Sequence, residues 1–204
     1  MPPPNSPYDA FLRSMTITPE KWRDGVGYDL DALLGVSDSE RTSLVDTLAN
    51  RLAAQPDWRD IEALGAIDTP AARQILRDAA GRLAPGLRME CVLQLQSLGE
   101  PVDADSAIAE AIRAGKSGQG FDKALLLAQR SPGATVRAAV LAAALDGADS
   151  TVRVACAGLA FYLAGLSSEP FDWNHRPFFL RFADDDRNTR LEAYQELCRL
   201  SQTA

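Results

Sequence analysis

The chain has 204 residues, 46% of them apolar and 24% charged, with 28 Asp and Glu against 21 Lys and Arg and a formal net charge of −7. That length and composition suit a folded domain with a sizeable core and exclude disorder as the dominant state. Ala and Leu number 33 and 26, while Val, Ile and Thr together number 24, which excludes a largely β fold.

Residues 1–7 are Pro-rich and read as a loose arm. Thr18-Pro19-Glu20 predicts a helix start, with Thr as N-cap and Pro where its missing N–H costs nothing. Gly25 and Gly27 stop that turn, and Asp29 to Leu34 predict another short turn closed by Gly35. Ser37-x-x-Glu40 is a capping box, and Leu44, Val45, Leu48 and Leu52 behind it form one helical stripe ended by Pro56. Thr69-Pro70 opens a helix carrying Ile75 and Leu76, and Asp105 is the expected cap of a helix through Ile108 and Ile112. The boundary places an N-terminal arm and cap at 1–36 and a helical array at 37–204.

Five segments then resemble one another: WRDIEALGAI (58–67), RMECVLQLQSLG (88–99), FDKALLLAQRS (121–131), VRVACAGLAFYLAG (152–165) and TRLEAYQELCRL (189–200). Four carry an arginine at the first or second position, Arg59, Arg88, Arg153 and Arg190, and the other has Asp122 at the second. Second helices are expected between them, over 70–83, 105–114, 134–146 and about 174–183. A helix pair recurring every 30–40 residues buries its apolar face by stacking on its neighbours.

VRVACAGLAFYLAG with its preceding loop DGADST, and TPAARQILRDA with its Pro-Ala entry, resemble the helices of HEAT-like (armadillo-type) repeats. The resemblance covers roughly 57–200. It implies an all-α, right-handed α-solenoid of about four or five helix pairs with an atypical N-terminal cap. GKSGQG (115–120) and SSEPFDWNHRPFFLRFADDD (167–186) depart from it.

No catalytic constellation stands out. His175 is the single histidine, with no G-x-S-x-G and no cysteine beside it, and reads as a turn residue. Asp184, Asp185 and Asp186 lack the spacing of a calcium loop and read as caps of the following helix. GKSGQG lacks the glycine and the strand of a phosphate loop and reads as an inter-helix connection. Cys91, Cys156 and Cys198 show neither zinc nor disulfide spacing, so no metal and no cofactor is expected. The repeat-start arginines read as structural ladders using their multi-donor forks.

These features predict a non-enzymatic protein-interaction module: an adaptor, an assembly factor or an immunity-type protein. The alternative is an enzyme of a helical-repeat class, a bilin lyase subunit or, with less support at this net charge, a DNA glycosylase. The expected partner is a protein with basic character, with no nucleic acid and no membrane. The start MPPPNSPYDAF lacks a secretory pattern, and no apolar run approaches about 20 residues, so the expected compartment is cytoplasmic. The stretch that departs from repeat composition supplies the candidate surface, Trp173, His175, Arg176 and Phe179 with Asp184, Asp185 and Asp186 at its rim.

Overall fold

The computed structural model describes residues 6–115, 120–130 and 132–203, with side chains through 201. The described chain is all-helical, with no strand among the described residues. Its helices are α1 (Pro7–Ser14), α2 (Pro19–Arg23), α3 (Asp38–Ala54), α4 (Trp58–Ile67), α5 (Pro70–Ala80), α6 (Pro85–Ser97), α7 (Ala104–Arg113), α8 (Phe121–Arg130), α9 (Ala134–Asp146), α10 (Ser150–Leu163), α11 (Arg176–Leu180) and α12 (Arg187–Thr203). Short 3-10 turns cover Leu30–Gly35, Trp173–His175 and Arg181–Ala183.

Local chemistry sets the helix starts. Thr18 caps α2 by accepting the Lys21 N–H at 3.3 Å. Glu40 accepts the Ser37 backbone N–H at 2.9 Å and its hydroxyl at 2.6 Å, which fixes the entry to α3. Thr69 and Asp149 cap α5 and α10 in the same way, through the Ala72 and Val152 N–H groups. Two expectations shift. Asp103, not Asp105, caps α7, because its carboxylate sits one turn before the Ser106 N–H at 2.9 Å. Ser6 caps α1, so Ser6 and Pro7 belong to a helix start and not to a loose arm. Residues 1–5 and the Lys116–Gln119 part of the glycine-rich connection lie outside the described residues.

The described chain divides into two compact units: residues up to 83 with 90–102, and 84–89 with those from 103 onward. In the first, the Leu30–Gly35 turn packs on α1 and α4, and α3, α4 and α5 pack on one another. Leu44, Leu48, Leu52, Ile61, Leu64 and Leu76 form the centre of its core. In the second, α9 lies against α7, α10 and α12, and the Arg181–Ala183 turn lies against α10 and α12. Small residues let these helices approach closely: Ala139, Ala143, Ala144, Cys156 and Ala157 are buried with Val140 and Val152.

The expected helix over about 174–183 is broken into a 3-10 turn, the five-residue α11 and a second 3-10 turn. Pro177 accounts for the break at its N-terminal side, since it brings no N–H to a helix arriving from Trp173.

Candidate interaction surface

The second unit carries a column of aromatic rings that begins in its core. Phe179 and Phe182 are fully buried, and Phe161 of α10 is nearly so. Phe161 packs edge-on to Phe179 at 5.4 Å between ring centroids, and Phe178 sits 5.7 Å from both Phe161 and Phe182. Phe171 lies 5.3 Å from Phe179 and meets Trp173 edge-to-face at 5.9 Å, with an interplanar angle of 88°. The column is thus Phe161, Phe179, Phe171 and Trp173, running from buried to exposed. Gly158 lets the loop before Trp173 lie close on α10: a Cβ there would collide with the Pro170 carbonyl oxygen.

Trp173 ends the column 70% exposed, a large apolar surface left in water. The Arg176 guanidinium stands 5.3 Å from its ring centroid in cation–π geometry, and Arg176 is itself exposed. His175 turns inward, 4.7 Å from the Phe161 ring, with Nδ1 3.2 Å from the Asp172 carboxylate. Asp172 also accepts the Asn174 backbone N–H at 2.9 Å, and this bond, with His175 beside it, holds its carboxyl below the usual carboxylate range. The turn bearing Trp173 is therefore tied at its start by Asp172 and underneath by Phe171.

The sequence-predicted residues separate into three groups. Trp173, His175 and Arg176 come together on this turn. Phe179 does not belong to the exposed surface: it is fully buried and supports the column from below, because α11 points it into the core. Asp184, Asp185 and Asp186 are exposed but engage a different neighbourhood. Asp186 accepts the Asn188 N–H at 3.1 Å and the Thr189 hydroxyl at 3.2 Å, and chiefly the Asn188 backbone bond, with the Thr189 hydroxyl, holds its carboxyl low at the start of α12. The Asp184 and Asp185 carbonyls accept Arg190 Nη1 at 2.7 and 2.9 Å. Among the described residues, no group of three or more metal-ligating side chains comes together.

The repeat-start arginines are tied to the backbone and to carboxylates. Arg59, 3% exposed, donates from Nε to the Val26 carbonyl at 2.7 Å and from Nη1 to Asp57 at 3.2 Å. Arg153, 7% exposed, donates to the Phe182 and Gly147 carbonyls at 2.9 and 3.2 Å, so it pins the turn beneath the aromatic column to α10. Arg88 meets Glu110 at 2.7 Å, and Arg190 bonds the Leu145 carbonyl at 3.1 Å. Cys91 and Cys156 are buried, which pushes both thiols up to about 12.

Sequence reasoning does not find the supporting member Phe161. The signal for Phe161 is its place at the end of the apolar run of α10, a turn before the departure from repeat composition. It also misses a buried polar group in the first unit. Tyr28 donates to Asp60 at 2.9 Å, and Arg51 bonds Asp60 at 3.1 Å and the Tyr28 hydroxyl at 3.0 Å. Burial pushes the Asp60 carboxyl up, and burial with the adjoining Asp60 charge pushes the Tyr28 hydroxyl up to about 12. The available signal is a charged pair, Arg59-Asp60, inside a helix whose other residues are mostly apolar.

No helix among the described residues is long and apolar enough to cross a membrane. Compared with known proteins, the chain matches no family model, no curated protein and no solved structure.

Proposed function

We propose that this chain is a non-enzymatic protein-interaction module of the HEAT-like helical-repeat kind, and that the Trp173–Arg176 turn is its docking surface. The observation that carries the proposal is an indole left 70% exposed on top of a packed aromatic column, with a guanidinium stacked on it. Exposing a tryptophan forfeits burial worth about 2–3 kcal/mol, and tryptophan and arginine dominate interface hot spots. Because Phe171 and Asp172 already fix the turn, a partner meets it with little ordering cost. The partner is a protein that offers an apolar pocket for the indole and an acceptor for Arg176. The chain's net charge of −7 favours basic surroundings around that pocket and disfavours nucleic acid. Two buried free thiols fit a reducing, cytoplasmic setting.

Affinity capture from the native host with the wild-type chain and with the Trp173→Ala/Arg176→Ala variant tests this. A specific protein is recovered by the wild type and lost by the variant, and in purified form it binds the variant at least tenfold more weakly. Recovery of no specific protein, or equal binding by the two chains, contradicts the proposal.

A further inference from the structure

We propose that a cleft beside Trp22 in the first unit binds a small, singly charged organic anion with a planar apolar body, its carboxylate taken by Arg51. The cleft measures about 620 Å³, within the range of small-molecule sites. Met15, Ile17, Pro19, Trp22 and Pro56 give it apolar walls, and Arg51 brings the positive charge. Trp22 is 71% exposed, so its ring face is open to a planar ligand.

Arg51 is held from beneath. Its side chain is 44% exposed, yet Nε bonds Asp60, which is 1% exposed, and Nη2 bonds the buried Tyr28 hydroxyl. Nη1 is engaged by no described residue. A solvent-reachable guanidinium fixed by two buried partners is oriented before any ligand arrives, so little side-chain freedom is lost on binding. Asp60 offsets much of the Arg51 charge at long range. Recognition therefore rests on hydrogen-bond geometry and apolar contact rather than on long-range attraction.

The rest of the lining near Arg51 limits the ligand's charge. Helix α3 ends at Ala54, and its C-terminus carries partial negative charge. Pro56 has no N–H to offer the Leu52 carbonyl, and Asp57 stands beside it. A single negative charge is accommodated beside Arg51, whereas a phosphate dianion meets greater repulsion from the helix end and Asp57.

The probe is 2-naphthoate, titrated into the nitrogen-15-labelled full chain while the indole N–H signals of Trp22, Trp58 and Trp173 are followed. The Trp22 signal should move saturably, with a dissociation constant below about 1 mM, while the Trp173 signal stays. Neutral 2-naphthamide should bind about tenfold more weakly, and Arg51→Gln should bring naphthoate down to the amide's level. Ala54→Trp fills the cleft at an exposed position without touching the Arg51 anchor, and should abolish binding even if Arg51→Gln does not fold. Equal binding of naphthoate and naphthamide overturns the proposal. So does a stationary Trp22 signal, tighter binding of 2-naphthyl phosphate, or unchanged binding to Ala54→Trp.

Discussion

Two tryptophans, one in each unit, are left in water to nearly the same extent but stand on different foundations. Trp173 rests on stacked phenylalanines that descend into the core, with Arg176 above and the Arg153 bridge to the Phe182 carbonyl below. Trp22 lines a cleft whose neighbouring support is ionic: Arg51 bonded to the buried pair Asp60 and Tyr28. Phenylalanine and tryptophan rings carry no group that titrates in the accessible pH range. The ionic group is directional, and its members titrate. The same outward feature, an exposed indole, thus rests mainly on packed rings in one unit and on a buried titratable group in the other.

The largest expected effect breaks the aromatic support. Phe179→Ala should destabilise the chain by about 3–5 kcal/mol, read in urea unfolding, because it opens a cavity under Phe161 and Phe171 together. A loss under about 1 kcal/mol would show that the column collapses without cost. Arg153→Ala should cost about 1.5–3 kcal/mol, since the Phe182 and Gly147 carbonyls then lose a charged donor. Arg153→Lys should recover part of this at most, because one ammonium does not reproduce the fork.

The ionic support is distinguished by pH. Tyr28 is pushed up to about 12 from its ordinary 10, so its folded form holds its proton more tightly than the unfolded chain does. Its contribution is present in full below pH 10 and is lost as pH rises from 10 to about 12. Tyr28→Phe should flatten that alkaline loss and cost about 1 kcal/mol at neutral pH. An unchanged alkaline profile would place the sensitivity elsewhere. On the acid side Asp60 differs in sign from Asp172 and Asp186. Asp172 and Asp186 are held low by backbone N–H groups, so their stabilisation is present above their ordinary 3.8 and lost as pH falls below it. Asp60 is pushed up by burial, so its charged form costs stability, and that cost disappears as pH falls through its raised value. Asp172→Asn should therefore soften acid unfolding, whereas Asp60→Asn should leave the acid limb as steep or steeper.

The all-helical class was legible because local signals agree with it. Ser37 with Glu40, Thr18-Pro19 and Thr69-Pro70 open helices where their caps predict them. The helix at 174–183 was not legible as a broken one, since its aromatic composition favours burial without specifying a regular helix, and Pro177 decides the matter locally. The candidate surface was half legible. Trp173 and Arg176 stand out by type and by their place in a departure from repeat composition. Phe179 has the same type and neighbourhood but faces inward, and only the direction of α11 separates the two. The Tyr28, Arg51 and Asp60 group joins positions 32 and 9 residues apart, and no periodicity links an N-terminal turn to a helix face.

The smallest expected effect on stability falls at the surface on which the functional proposal rests. Trp173→Ala with Arg176→Ala should change unfolding free energy by no more than about 0.5 kcal/mol, because neither side chain is part of the core. The decisive measurement pairs that unfolding curve with titration of the captured partner against wild type and variant. The account predicts an unchanged curve and a dissociation constant raised at least tenfold, with each side chain counting for about 1–4 kcal/mol. A variant that unfolds early would make Trp173 a packing residue, and a variant that stays folded and binds as the wild type does would place the docking surface elsewhere; either result contradicts the account.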